Sequence, residues 1–563
     1  MNVLYVIISL VALALFAQSL FSLYLMLYSW EHPGRLEASG GPRAFVPPAL
    51  SFSVLLPALH EEAVIFDTIK KIVTADYPRD LLEVVVICHV DDTGTIAEAR
   101  RAIAEIGAGT VSVATFADAP INKPHGLNVG LARTTFDVVT IFDAEDDIDA
   151  NIFNVVNTVM TTENTGVVQA GVQLMNFRDH WFSVHNCLEY FFWFKSRLHF
   201  NAHVGVIPLG GNTVFMRREL LDRIGGWDAN CLTEDADMGL RLSALGEPIR
   251  VVYDAQHVTR EETPDSVGAF IRQRTRWHQG FIQILRKGSW RELPHLGQRL
   301  LALYTLAYPL FQAALTLTWP LTIIGLFWLK FPVLVVMVAF LPLYALAFQF
   351  LVTAVGAYLF TKEYGFKFPI LLPFSMAVTF IPFQILMGVS AVRAVFRELS
   401  GQYNWEKTLH VGAHRQPAIV WSVAFQQLLD DAGSHLGVES GSVLVLDPGA
   451  STFAVLANGG PKLAMLDTSQ HDTHKAVAGW MSTTNLPVLI DRHSLPRELS
   501  RMLHLPDLRS AIVLPMDRQN QVIGVFSVSN EVTELNDESV RWLSSRFQRL
   551  MKDHPADLEA TGA

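Results

Sequence analysis

Cysteine is scarce in this chain of 563 residues: Cys88, Cys187 and Cys231 are the only three, far apart and without C-x-x-C spacing. That scarcity excludes a disulfide framework and a structural zinc site, and leaves the thiols as buried bystanders. Charge is sparse too. Only 17% of residues are charged, and 43 Lys and Arg stand against 54 Asp and Glu for a net charge of −11. Such a balance gives no basic field to attract a polyanion, which removes nucleic acid from the expected partners. No internal repeat or low-complexity tract is visible. What the chain has in abundance is apolar: hydrophobic residues make up 50%, and the mean hydropathy is positive. Length and composition together predict about three or four domains, one of them embedded in lipid.

Residues 3–28 form an uncharged apolar stretch, long enough to cross a hydrocarbon core of roughly 30 Å as a helix. With no basic leader and no small-x-small cleavage site before Glu31 and Arg35, it reads as a retained anchor over 1–30. Three further apolar blocks, near 299–328, 331–360 and 369–395, each permit one crossing, and Pro309, Pro320 and Pro342 predict kinks or a re-entrant piece. If all three cross, the carboxyl terminus emerges opposite a cytoplasmic catalytic domain. Arg393, Arg397 and Lys407 favour the cytoplasmic side, so part of 295–328 is expected to lie along the interface or to dip in and return.

Between these blocks, residues 51–290 alternate short β-branched runs with helix-like segments. FSVLLPAL, LEVVVICHV, VSVATF and DVVTIFDAED read as nearly continuous apolar strands, the pattern of a parallel sheet covered on both faces. Ligands in such sheets bind at the carboxyl ends of the strands, where most of the polar residues of these segments fall. Those ends carry PALHEE, HVDDTG and FDAED, with NKPHGLN between the last two and then LTEDAD and QRTRW. Taken singly, each acidic group is explained as a helix cap or turn, because Asp and Glu favour helix starts.

Taken in order, the D-D-x-G, K-x-x-x-L-N, D-x-D-like, T-E-D and Q-x-x-R-W elements resemble the processive family 2 glycosyltransferases, which include cellulose, curdlan and hyaluronan synthases. The likeness covers roughly residues 50–410. It implies a GT-A type α/β domain with a mainly parallel sheet, a UDP-sugar donor and inversion at the anomeric carbon. On this resemblance Asp235 is the base, with Glu234 and Asp237 supporting it. Asp91 or Asp92 contacts the nucleoside in a mouth shaped by Pro57, Ala58 and Glu62, Lys123 approaches the diphosphate, and His125 is structural.

Physical chemistry assigns compatible roles. Asp143 and Glu145 are hard oxygen donors suited to Mg2+ or Mn2+, and at i and i+2 they share one face if the strand geometry persists through them. Glu145 departs from the family's more frequent Asp, while Asp146 and Asp147 either substitute or cap the next helix. Gln273, Arg276 and Trp277 fall at i, i+3 and i+4 on one helix face, where an aromatic plane beside a guanidinium suits a terminal sugar and a leaving diphosphate. Gly210 and Gly211, before Asn212 and Thr213, allow the backbone to approach the acceptor.

From about residue 421 to 556 a helix-like start, five short strands and a closing helix resemble a GAF domain, through AGWMSTTNLPVLID, SAIVLPM and QVIGVFSVSNE. This implies a small-molecule effector or self-association. No cysteine falls there to hold a covalent chromophore. The expected organisation is an anchor (1–30), a cytoplasmic catalytic domain (45–295), transmembrane and interface helices (296–398), a linker (399–420) containing VGAHRQP, and the GAF-like unit. The whole predicts a multi-pass inner-membrane enzyme that polymerises UDP-glucose onto a growing polysaccharide and exports it, in contact with membrane lipid. Two other readings are transfer of single sugars to a lipid or short acceptor, and a non-catalytic receptor that senses nucleotide sugars.

Overall fold

The computed structural model describes residues 3–34, 40–107, 109–328, 331–406, 421–438, 440–447, 452–459, 488–491, 510–518, 521–530 and 534–553. The chain divides into two units, Met1–Arg415 and Gln416–Ala563. The first opens with α1 (Val3–Glu31). Strand and helix then alternate through β1 (Phe52–Ala58), α2 (Ile65–Val73), β2 (Leu82–His89), α3 (Thr93–Ile106), β3 (Val111–Phe116), α4 (Lys123–Leu131), β4 (Val138–Ile141) and α5 (Ile152–Thr162). The next stretch holds β5 (Val167–Ala170), β6 (Val172–Leu174), α6 (Ser183–Phe192) and α7 (Leu198–Val204), with one π-helical turn at Trp193–Arg197. After it come β7 (Val214–Arg217), α8 (Arg218–Ile224), α9 (Glu234–Ala244), β8 (Ile249–Val252), β9 (Thr259–Glu261) and α10 (Val267–Lys287).

Seven strands form one sheet in the order β3-β2-β1-β4-β7-β5-β8. Only β7 runs antiparallel to its neighbours, β4 and β5; β1, β2, β3 and β4 pair in parallel. The apolar strands are buried on both faces, as their sequences demand, and separate two cores. One core is built around Phe52, Phe142 and Phe153, the other around Leu55, Ile87 and Leu188. This is a GT-A-like α/β fold. Two local expectations change. The fourth predicted strand stops at Ile141, and a turn closed by Asp146 N–H donating to Asp143 O at 3.1 Å replaces the extended run through FDAED. The later strands, β7, β5 and β8 of this sheet and the separate parallel pair β6 and β9, have four and three residues, too short to show a two-residue period in sequence.

The apolar blocks form α11 (Leu296–Trp328), α12 (Val333–Ala339), α13 (Leu341–Glu363) and α14 (Leu372–Leu399). Among the described residues four helical stretches are long and apolar enough to cross a membrane, in α1, α11, α12–α13 and α14. Pro309 and Pro320 lie inside the single helix α11 rather than ending it. Pro342 sits in the first turn of α13, where a missing N–H costs nothing. Ala357, Phe360 and Met376 of these helices belong to the same core as Leu188 and Phe191, so the apolar helices and the α/β domain share one interior.

The second unit contains α15 (Trp421–Leu436), β10 (Ser440–Asp447), β11 (Thr452–Gly459), β12 (Val488–Asp491), β13 (Ser510–Arg518), β14 (Gln521–Asn530) and α16 (Asp537–Asp553). Its antiparallel sheet has the order β11-β10-β14-β13-β12, and Phe425 and Phe547 from the two helices pack on Phe526. The linker VGAHRQP, and AGWMSTTNLP of the longest GAF-like stretch, lie outside the described residues.

Candidate active site

A cavity of about 430 Å³ opens beside the carboxyl ends of the strands. It gathers Lys123, Asp143, Glu145, Gly211, Asn212, Glu234, Asp235, Gln273, Arg276 and Trp277 from five separate stretches of sequence. Lys123 begins α4, whose N-cap Asn122 accepts from His125 N–H. From there its Nζ pairs with the Asp143 carboxylate and donates to Gly211 O at 2.9 Å. It is therefore no solvated loop lysine. Burial alone lowers its pKa, but Asp143, Glu234 and Asp235 reverse the sign and hold it above the ordinary lysine value.

Asp235 lies in the first turn of α9, and its Oδ1 accepts from Ala236 N–H at 2.8 Å. Burial raises its pKa, and that of Glu234 beside it, above the usual carboxylate range; Lys123 and Arg276 oppose the shift. A carboxylate so placed is a stronger base than one in water. Gly211 faces it. A Cβ at Gly211 would stand 3.2 Å from Asp235 Oδ2 and 3.5 Å from Lys123 Nζ, so the missing side chain leaves the room in front of the base.

The neighbouring acids have other tasks. Asp146 is fully buried and accepts from Asp143 N–H at 2.8 Å and from Asn212 Nδ2 at 2.8 and 2.9 Å. Burial, then Glu261, Asp143 and Glu145, push its pKa well above normal. Asp147 pairs with Lys71 and bridges the Arg260 backbone. Both brace the turn and neither lines the cavity, and Asn212, held between Asp146 and Glu261, is a brace at the cavity wall. Because the strand has ended, Asp143 and Glu145 do not share a face by strand alternation. They meet in the cavity through the turn. Among the described residues no group of three His, Cys, Asp or Glu is arranged to hold a metal.

Five expected residues do not line the cavity: Pro57, Ala58, Glu62, Asp91 and Asp92. Asp91 therefore does not join Asp143 and Asp235 in lining this cavity. The reason is topological: β2 and β4 flank β1 on opposite sides, which sets their ends roughly 10 Å apart. Asp92 is buried, accepting from His60 N–H at 2.6 Å and capping α3 through Thr95 N–H at 3.3 Å. Asp91 faces solvent next to His89. Glu62 stands over Gly94 at the start of α3.

Ser266 caps α10, which carries Gln273, Arg276 and Trp277 to the cavity. Arg274, paired with Glu189 at 2.8 Å, lies 4.4 Å above the Trp277 ring. Arg276 lies 4.5 Å above Trp405 and donates to Glu406 O at 3.1 Å. Arg393 grips the Glu406 carboxylate with two bonds of 2.7 and 2.8 Å, and Arg397 adds a third at 3.1 Å. Lys407 and Thr408, which follow, lie outside the described residues. The cavity then continues between the apolar helices, past Tyr304, Tyr308, Gln312, Gln349, Thr353 and Gln384. No motif marks these six. The available signal was the presence of hydrogen-bonding side chains inside apolar runs.

A mainly parallel sheet with acidic strand ends, a lysine paired with Asp143 and Q-x-x-R-W on a closing helix is the arrangement expected of a GT-A type glycosyltransferase. Residues 47–280 match the family model described as "Glycosyltransferase like family 2", and that segment is a family 2 glycosyltransferase domain. Among curated relatives, the probable glycosyltransferase YdaM of Bacillus subtilis is 29% identical over 42% of this chain and 56% of its own length. A beta-monoglucosyldiacylglycerol synthase of Synechocystis is 26% identical over 65% of this chain and 76% of its own length. The poly-beta-1,6-N-acetyl-D-glucosamine synthase of Staphylococcus epidermidis is 22% identical over 47% of this chain and 62% of its own length. The chain spans about half the length of the first relatives it matches.

Proposed function

We propose that the chain is a membrane-embedded, inverting hexosyltransferase of the inner membrane that polymerises a UDP-sugar, glucose first among candidates, into an extracellular β-glycan and couples synthesis to export. The observation that carries this reading is the continuous cavity. It runs from Asp235 into the helix bundle, where glutamine, threonine and tyrosine side chains offer the hydrogen bonds and ring faces that sugars need. A hydrophilic chain cannot cross lipid unaided, and such a lining supports its passage.

In this reading Asp235 takes the proton of the acceptor hydroxyl as that oxygen attacks the anomeric carbon. The diphosphate leaves from the opposite face with the electrons of the broken C–O bond, which inverts the centre. Lys123 and Arg276 balance the charge gathering on the leaving group. Asp143 and Glu145 would hold Mg2+ or Mn2+, two carboxylates being suited to share that ion with phosphate oxygens, and the ion when bound offsets diphosphate charge. Trp277 presents a ring to the terminal sugar of the acceptor. Pro57, Ala58, Glu62 and Asp91 form the uridine side of the cleft, at a distance along the sheet edge that a nucleoside diphosphate spans. The second unit regulates synthesis as a GAF-like domain, by binding a small effector or pairing with its copy.

A second reading, transfer of one glucose to a diacylglycerol-type lipid, is favoured by the long match to the Synechocystis enzyme, which extends beyond the catalytic domain. Membranes supplied with labelled UDP-glucose and Mg2+ or Mn2+ decide between them. Polymer released by a linkage-specific β-glucanase supports synthesis and export; label extracted entirely as short glycolipid overturns polymerisation. Asp235→Asn is expected to lower turnover about 10²–10⁴-fold, and unchanged turnover would refute the assignment of the base.

A further inference from the structure

Four cations line the cavity: Lys123, Arg197, Arg274 and Arg276. Lys123 pairs with Asp143 and Arg274 with Glu189, while Arg276, stacked on Trp405, is the one assigned to the leaving diphosphate. Arg197 has no such engagement. Its Nη2 donates to Ser22 Oγ of α1 at 3.0 Å, and among the described residues no carboxylate pairs with it. A guanidinium has five N–H donors in a planar fork, so one hydroxyl leaves most of them for another group. The π-helical turn sets this side chain in place. Leu198 N–H donates to Trp193 O, five residues back, and the side chains of Ser196 and Arg197 that close the turn both reach α1. Ser196 Oγ donates to Leu25 O at 2.8 Å and accepts from Ser29 N–H at 3.0 Å. Such turns are rare within helices and concentrate at functional sites.

The flanking helices give its depth. Ser22 precedes the end of α1 at Glu31 by about 14 Å, and Tyr304 follows the start of α11 at Leu296 by about 12 Å, at 1.5 Å per residue. Both of those ends join the catalytic domain: Gln298 of α11 donates to Gly205 O at 3.0 Å, and the chain leaving α1 is bonded at Gly41 to Asp254 at 2.8 Å. At the level of Ser22 and Tyr304 aromatic rings pack together, Phe21 on Tyr304 with centroids 4.8 Å apart and Tyr28 on Phe200 at 5.3 Å. Tyrosines gather where hydrocarbon meets the head groups, and from Ser22 back to Val3 α1 carries no charge. Arg197 therefore stands at the depth of lipid phosphates. The cavity wall there is polar. Asn201 lies one turn on from Arg197 and Tyr308 one turn on from Tyr304; all four line the cavity with Ser22, and Ser22 and Asn201 are each only 4% exposed.

We propose that the cavity has a second anion site, centred on Arg197, that takes the phosphate group of a membrane lipid. The guanidinium supplies the charge and a two-pronged fork, and Ser22, Asn201, Tyr304 and Tyr308 supply neutral donors around it. The source is lipid rather than free phosphate, because the site lies at head-group depth between two apolar helices, and basic pockets so placed hold lipid head groups. It is separate from the diphosphate position, which belongs to Lys123 and Arg276. The same cavity reaches Asp235, so a lipid held by its phosphate presents its head group to the path of the acceptor. The proposal rests on the reading of the chain as membrane-embedded and is independent of whether the product is a polymer or a glycolipid.

The test uses the full-length protein in a non-ionic detergent, titrated separately with dioleoyl phosphatidic acid, with dioleoylglycerol, which has the same chains and no phosphate, and with inorganic phosphate. Native mass spectrometry counts the bound molecules. Phosphatidic acid is expected to bind in a one-to-one step that Arg197→Gln weakens about tenfold and Arg197→Lys, which keeps the charge and loses the fork, about threefold. Dioleoylglycerol is expected to bind at least about tenfold more weakly than phosphatidic acid, and equally to every variant. Should Arg197→Gln fail to fold, Tyr308→Phe removes one hydroxyl and is expected to weaken the lipid about two- to threefold. Equal binding of phosphatidic acid by the wild type and the variants overturns the proposal. So does inorganic phosphate that binds the wild type as tightly as the lipid does. Retention in membranes through an alkaline carbonate wash is read separately: a retained protein that binds lipid without regard to Arg197 overturns the site alone, and release by the wash overturns the membrane reading and the site with it.

Discussion

Replacing Gly211 by alanine tests the geometry of the proposed base with one added carbon. The backbone of Gly211 is not in the left-handed region, so alanine adopts it without strain. The new methyl would sit 3.2 Å from Asp235 Oδ2 and 3.5 Å from Lys123 Nζ. The first distance is a few tenths of an ångström inside comfortable contact, so the carboxylate must turn or retreat by about that much. A misplacement of about 1 Å at a reacting centre costs on the order of 10²-fold in rate, and a few tenths therefore costs about three- to tenfold, or roughly 0.7–1.4 kcal/mol of barrier. The assay is UDP release by purified protein across donor and acceptor concentrations. The loss is expected in kcat, with the thermal midpoint moved by no more than about 1 °C because no backbone atom obstructs the methyl. In an Asp235→Asn background the same substitution should cost nothing further, since the group it displaces no longer accepts the proton. Equal losses in both backgrounds, or full activity in Gly211→Ala, would refute the reasoning.

Other substitutions probe the frame and the charges. Gly239→Ala places a Cβ 2.1 Å from Ile207 O and 2.7 Å from Leu209 N, both backbone atoms; α9 must shift, so denaturant titration should show a loss of about 1–3 kcal/mol and kcat should fall with it. Asn212→Ala removes the donor to both oxygens of buried Asp146 and to Glu261, an expected cost of about 2–3 kcal/mol in thermal or chemical unfolding. The raised pKa values of Glu234 and Asp235 mean the fold binds their protons more tightly than the unfolded chain does. Their protonated forms favour the folded state, so this contribution to stability is complete below the ordinary carboxylate range and is lost as pH rises through the raised values. Activity runs the other way, because the base must be ionised. The acid limb of kcat should lie above the ordinary carboxylate pKa, and a limb at that ordinary value would count against Asp235.

Local pattern fixed a good deal of this protein. Continuous β-branched runs between helix-like segments determined the parallel strands β1 to β4, because a strand buried on both faces has no place for polar side chains. The order of acidic and Q-x-x-R-W motifs determined the ten residues that meet in the cavity. Strands of three or four residues were not legible, and neither were the glutamines and tyrosines lining the cavity between the helices, which have no spacing of their own.

Tertiary structure alone decided which carboxylates of an acidic run face the cavity and which are consumed as braces. The strand ends at Ile141, just before FDAEDD, and the turn that follows buries Asp146 while Asp143 and Glu145 reach the cavity. It also parted Asp91 from Asp143 by putting β1 between their strands. Sequence determines what a residue can do within a turn of chain. Which partner it meets depends on strand order and on contacts more than a hundred residues apart, which leave no local trace.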